Sequence, residues 1–141
     1  MNNNFIVVKI GNKYARALLD TGSILTIVSE RFARQHHLRQ IPLGTNTPSL
    51  ISANCTALDV VSRTEFSVNV SGLIVPISAV VIRHASHDLI LGSDFLQNNH
   101  VIVDYNLGLV SIADDIVRAP LQSLGKRQDF AICTESTYTP A

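Results

Sequence analysis

The sequence has no tryptophan, one methionine, two cysteines and no excess of charge of either sign, and each shortage removes a class of protein. Cys55 and Cys133 can form at most one bridge, too few for a disulfide framework, and they lack the CxxC spacing of a zinc site. Without a secretory head, two reduced thiols are expected. The 11 basic and 11 acidic residues cancel, and the basic ones are scattered, so no nucleic-acid footprint is visible. The longest apolar run, Leu73 to Ile82, is broken by Pro76 and Ser78 and falls short of the roughly 20 residues a membrane span needs. Asn2 to Asn4 are no basic signal-peptide head. A soluble, intracellular and cytoplasmic protein is expected, with neither a membrane nor a nucleic acid as partner. What is present suffices for one domain: 141 residues, 46% of them apolar and only 16% charged.

The hydrophobic pattern has a period of two. Phe5 to Ile10 is rich in β-branched residues, Gly11-Asn12 is a hairpin turn signal, and Tyr14 to Leu19 resumes the apolar run, which predicts an opening β-hairpin. Ile24 to Val28 reads as a short strand, with Ser29 as the cap of a helix from Glu30 to about His37. Ser49 to Ser52 and Thr56 to Val61 flank a polar tip, Ala53-Asn54-Cys55, and read as an extended hairpin. Phe66, Val68 and Val70 alternate with polar residues, and Ser71-Gly72 turns the chain into Leu73 to Ile82, so two paired strands are expected. Leu89 to Leu91 is an apolar strand ending at Gly92, followed by a polar cap, Ser93-Asp94, and a short helix over Phe95 to Asn99. A last hairpin joins Val101 to Tyr105 with Leu109 to Ile112. The periodicity then fades, which predicts a domain over 1–112 and a C-terminal extension or linker over 113–141.

The sharpest local feature is Leu18-Leu19-Asp20-Thr21-Gly22-Ser23, an acid placed where an apolar strand stops and a glycine turn begins. Burial there disfavours the charged carboxylate, while backbone donors around Gly22 and Ser23 favour it, so its proton affinity is open to tuning for acid and base work. The same tetrapeptide also suits a plain Asp-capped turn. Far downstream, Asp88-Leu89-Ile90-Leu91-Gly92-Ser93-Asp94-Phe95-Leu96 reads strand, glycine, cap, helix.

Together, in this order and spacing, the two segments resemble the retropepsins, the aspartic proteases of retroviruses and LTR retrotransposons. The resemblance runs from about Phe5 to Ile112. It implies an all-β acid-protease fold, a closed and mostly antiparallel barrel with a flap hairpin and one or two short helices. It also implies an aspartic endopeptidase with catalytic Asp20, Thr21 and Gly22, acting on extended polypeptide, the polyprotein of a retroelement above all. No metal or cofactor is needed. One carboxylate cannot do this work, and no other acid of the chain is followed by Thr-Gly, so a homodimer is expected to supply the second Asp20 by symmetry. In the family, the residue at Thr21 hydrogen-bonds across the two-fold axis, and the glycine at Gly22 brings its backbone close to the carboxylates. Ser23 then adds a further hydrogen bond near the pair.

The resemblance places Ala53, Asn54 and Cys55 at the flap, although flap tips in the family are glycine-rich and this segment has no glycine between Gly44 and Gly72. Ser23, Ile24 and Ile90 are implied as substrate-binding residues, with Leu18 beside them, against the simpler expectation that apolar strand residues pack in the core. Among the five histidines, His84-x-x-His87 comes nearest to a metal spacing, but no third or fourth ligand completes it. Arg31, Arg34 and Arg39 read as a solvated helix face. Two rival functions resemble the same motifs: a catalytically inactive dimerisation or peptide-binding module, and a ubiquitin-pathway protease domain. The first would be betrayed by a lost Asp, Thr or Gly, and all three stand at 20–22. For the second, the chain carries no accessory domain.

Overall fold

The structure, a computed structural model, describes residues 4–44 and 59–123. Ala53, Asn54 and Cys55, the expected hairpin tip, lie outside the described residues.

Eleven strands and two helices of six residues each occur among the described residues. β1 (Asn4–Ile10) and β2 (Lys13–Leu19) form the opening hairpin, in register from Asn4↔Leu19 to Ile10↔Lys13. β3 (Ile27–Ser29) leads into α1 (Glu30–Gln35), after which β4 (Gln40–Ile41) lies along β5 (Val60–Val70). β5 and β6 (Leu73–Ile82) form the long hairpin, turning at Ser71 and Gly72, both at positive φ (50° and 96°), as a two-residue type I′ turn requires. β7 (Leu89–Leu91) precedes α2 (Ser93–Asn98); then come β8 (Ile102–Asp104), β9 (Leu109–Ile112), β10 (Val117–Pro120) and β11 (Gln122–Ser123).

The order β1-β2-β7-β3-β6-β5 closes on itself through Lys9↔Asn69 of β1 and β5, giving a six-stranded barrel. Most pairings are antiparallel; β2–β7 and β3–β6 are parallel. Pro76 fits within β6 because β3 pairs only with Val80 to Ile82, so Pro76 lies on a stretch with one free edge. β8, β9 and β10 make a separate three-stranded sheet, and β11 extends the barrel sheet by pairing with Asn4 and Phe5 of β1. Strands therefore continue past Ile112, where the sequence gives no periodic signal.

β7 explains why Leu89-Ile90-Leu91 is apolar throughout. Leu89 and Leu91 enter the main core with Ile6, Val8, Val28, Val68, Val81 and Phe95. Ile90 points to the opposite face, into a second cluster with Phe5, Leu18, Ile27, Val80 and Ile82. A strand buried on both faces has no position for a polar residue.

Both ends of α1 are closed without glycine. Ser29 accepts the Phe32 N–H on its side-chain oxygen (3.0 Å), as its position predicts. At the other end His37 takes φ 54°, its N–H donating to the Arg34 carbonyl and that of Leu38 to Ala33, a Schellman closure two residues earlier than expected. His100 (φ 49°) closes α2 in the same way. Three consecutive non-glycine residues between β9 and β10, Ala113, Asp114 and Asp115, also hold positive φ (58°, 56° and 73°). Left-handed backbone costs an L-residue roughly 1–2 kcal/mol. Asp114→Gly should therefore raise stability by about 0.5–1 kcal/mol, read as a higher urea midpoint, because Asp114 is exposed and its contact with His100 is long (3.7 Å).

The His36 ring lies on Phe32, with centroids 4.3 Å apart. Burial first, then Lys13 and more weakly His37, hold the imidazole below its ordinary pKa of 6.5, against an opposing pull from Asp88. A folded-state pKa below the unfolded one means the unfolded chain takes the proton first as pH falls below 6.5. His36 thus withdraws stability just under that pH, and His36→Gln should show a smaller fall in Tm than the parent between about pH 7 and about pH 5.

Candidate active site

Asp20 follows the last residue of β2, and its N–H donates to the Leu91 carbonyl (3.0 Å), extending the parallel β2–β7 pairing by one bond. The strand thereby delivers the carboxylate to the rim of the barrel, half-buried. Its Oδ1 accepts the Gly22 N–H at 2.9 Å, and the Ser23 N–H closes the turn on the Asp20 carbonyl at 3.2 Å. A Cβ on Gly22 would stand 3.1 Å from that same Oδ1, so glycine keeps this side of the carboxylate open.

Behind this turn, α2 holds the loop. The N–H groups of Ser93 and Asp94, which a helix start leaves without intrahelical partners, donate to the carbonyls of Ser23 (2.7 Å) and Ile24 (3.2 Å). The Ser93 hydroxyl donates to the Thr21 carbonyl (3.0 Å). The Asp94 carboxylate accepts from the Thr26 N–H (3.2 Å), the Thr26 hydroxyl (2.7 Å) and the Phe95 N–H (2.7 Å), while Thr26 Oγ1 accepts from the Gly92 N–H (3.1 Å). Thr26 is 1% exposed, so these are buried bonds whose loss leaves orphaned groups. Gly92 is needed by its neighbours: a Cβ there would lie 2.6 Å from the Leu25 carbonyl carbon and 2.7 Å from the Ser23 oxygen.

This bonding corrects two expectations. The strand expected from Ile24 begins only at Ile27, because the Ile24 carbonyl bonds to the Asp94 N–H and the Thr26 N–H to the Asp94 carboxylate, while the Thr26 carbonyl alone reaches β6, accepting from the Val80 N–H (3.0 Å). The helix expected from Phe95 begins at Ser93, its cap being Gly92 with no side-chain bond, since loop carbonyls take the free N–H groups.

The expected site residues are placed as follows. Asp20, Thr21, Gly22 and Ser23 share one turn, with Thr21 and Gly22 exposed and the Ser23 hydroxyl donating to the Leu25 carbonyl (2.7 Å). The Thr21 hydroxyl makes no hydrogen bond among the described residues. Ile24 is 57% exposed beside the turn, whereas Ile90 is 7% exposed within the second cluster, paired with Leu18 on one side and Ile27 on the other. Thr26 and the loop-holding part of Asp94 have no signal in the sequence, because a buried pair 68 positions apart leaves no local pattern. Among the described residues no helix is long and apolar enough to cross a membrane.

The family described as "gag-polyprotein putative aspartyl protease" matches residues 6–98, more than half of the chain. Among solved structures the chain is similar to the retroviral protease-like domain of Ddi1 from Leishmania major, with a TM-score of 0.69 and 21% identity over 86% of this chain and 95% of that one. It is also similar to EIAV protease in an inhibitor complex (TM-score 0.47, 19% identity, 67% of this chain and 85% of that one). A retropepsin-like aspartic protease from Rickettsia conorii matches at a TM-score of 0.44 and 12% identity, over 86% of this chain and 84% of that one. No curated protein matches the sequence. The family match spans the Asp-Thr-Gly turn, the barrel and the helix that holds the turn, and the chain belongs to the gag-polyprotein aspartyl proteases, within the retropepsins.

Proposed function

We propose that the chain is an aspartic endopeptidase that works as a homodimer and cleaves extended polypeptide, a retroelement polyprotein foremost, between two symmetry-related Asp20 carboxylates. The observation that carries this proposal is the Asp20 turn itself. Its carboxylate is half-exposed at the end of β2, bound among the described residues by a single N–H, on a loop whose backbone is tied down from behind. The exposed Thr21 and Gly22 and the uncommitted Thr21 hydroxyl suit contact with a second copy across a two-fold axis. Ser23, Ile24 and Ile90 are proposed to line the substrate path, together with the segment holding Ala53, Asn54 and Cys55.

In the pair, two close carboxylates cannot both ionise readily, so they share one proton and hold a water between them. The ionised carboxylate takes a proton from the water as its oxygen attacks the peptide carbonyl carbon, and the protonated carboxyl donates to the carbonyl oxygen. Collapse of that adduct breaks the C–N bond and returns a proton to the leaving amine. Cleavage of an unfolded protein such as casein, assayed from about pH 4 to about pH 7, should be maximal within the range and blocked by a transition-state-mimicking aspartic-protease inhibitor. No inhibitable cleavage anywhere in the range would mark the chain as a peptide-binding module.

A further inference from the structure

Asp20 to Ser23 form a β-turn, closed by the Ser23 N–H on the Asp20 carbonyl at 3.2 Å. Its middle peptide joins Thr21 to Gly22. In a trans peptide the C=O and the N–H point in opposite directions, and both ends of this one are held. The Gly22 N–H donates to Asp20 Oδ1 (2.9 Å), and the Thr21 carbonyl accepts from the Ser93 hydroxyl (3.0 Å). A carbonyl oxygen can only accept, so Ser93 is the donor. One chain of hydrogen bonds therefore runs from the first turn of α2, through a single peptide, to the carboxylate.

The middle peptide is the unit that reverses when a turn changes between type I and type II, and glycine at the third position, held by Gly22, admits both forms. Type II would require Gly22 at positive φ, a region it does not occupy. Reversal would carry the Gly22 N–H away from Asp20 and the Thr21 carbonyl away from Ser93, so the two bonds are made or lost together. Donation to the carbonyl also polarises the amide and strengthens its N–H as a donor, by about 10–30%.

The Ser93 hydroxyl is not spent on the helix, since α2 has Gly92 as its cap and no side-chain bond there. Nor is it needed to keep the loop in place. The Ser93 and Asp94 N–H groups on the carbonyls of Ser23 and Ile24, and the Asp94 carboxylate on Thr26, hold the loop without it. Thr21 and Gly22 are exposed, so water can partner the Thr21 carbonyl in either orientation once the hydroxyl is gone. What the hydroxyl supplies is a preference between the two orientations.

We infer that Ser93 is a positioning residue: its hydroxyl latches the Thr21–Gly22 peptide in the orientation that aims the Gly22 N–H at the Asp20 carboxylate, and so fixes that carboxylate for the reaction. The inference rests on the proteolytic function proposed above, and the test separates the two. Isotope-labelled, full-length parent, Ser93→Ala and Ser93→Thr proteins are compared by NMR at the Gly22 amide and by cleavage kinetics. In Ser93→Ala the Gly22 amide proton should move upfield and exchange with solvent about fivefold faster, the worth of one ordinary hydrogen bond. In the same variant kcat should fall about fivefold with KM unchanged, and the thermal midpoint should match the parent. Ser93→Thr, which keeps the hydroxyl, should restore both the amide signal and kcat. A Gly22 signal unmoved by Ser93→Ala overturns the latch, whether or not the chain cleaves anything. A moved signal with an unchanged kcat overturns its part in the reaction, and a lowered midpoint with KM and kcat both altered marks Ser93 as a structural tie only. If the parent cleaves no substrate, the proteolytic function fails, while the amide signal still decides the latch.

Discussion

Asp20→Asn should lower peptide cleavage by about 10⁴-fold while leaving the fold intact, since removing one member of a concerted catalytic group forfeits nearly all of its effect. In a symmetric dimer the single substitution removes both carboxylates at once. The pair then has neither a base for the attacking water nor a carboxylic acid to protonate the carbonyl oxygen. Stability should scarcely change, because the one side-chain bond of Asp20 among the described residues, from the Gly22 N–H at 2.9 Å, is accepted equally well by an amide oxygen. The two readings come from cleavage kinetics and a thermal melt of the same preparation. Retained turnover would remove Asp20 from the mechanism. Loss of folding would show that its charge is structural.

Gly92→Ala is expected to cost about 3 kcal/mol, at the upper end of ordinary overpacking, and to abolish activity far from any reacting atom. The new methyl group would meet the backbone of Leu25 and Ser23, which cannot rotate aside as a side chain does. To relieve the clash the loop must move off α2, breaking the Ser93-to-Ser23 and Asp94-to-Ile24 bonds and straining those of Asp94 to Thr26. Because domain stabilities are about 5–15 kcal/mol, the variant should still fold in the cold, with a lowered urea midpoint and a displaced Asp20 turn. An unchanged midpoint would mean that loop and helix do not pack as described.

What the sequence discloses about this molecule follows the range of each interaction. Hairpins are local: the turns at Gly11-Asn12 and Ser71-Gly72, with alternating residues either side, identify β1–β2 and β5–β6. The Ser29 cap and the strand-ending acid at Asp20 are equally local. The helix ends were hidden because His37 and His100 adopt the left-handed conformation usually signalled by glycine. β10 and β11 were hidden because two- and four-residue strands show no period, and they pair with segments whose patterns say nothing of them. The arginines of α1 are as solvated as expected, Arg31 and Arg34 being 72% and 68% exposed. Their pairing with Asp88 and Glu30 adds little to stability.

The hold of α2 on the Asp20 turn bears on when this chain can act. Thr26 and Thr21 find side-chain partners 66 to 72 positions downstream, and Asn4 and Phe5 of β1, already paired with β2, gain their second strand neighbour only at residues 122–123. During synthesis, at about 5–20 residues per second, the acid near the start of the chain leaves the ribosome several seconds before the helix that shapes its loop. On the function proposed above, the catalytic loop stays unassembled until residues 92–94 and 122–123 have emerged, and the order of translation itself delays the first cut.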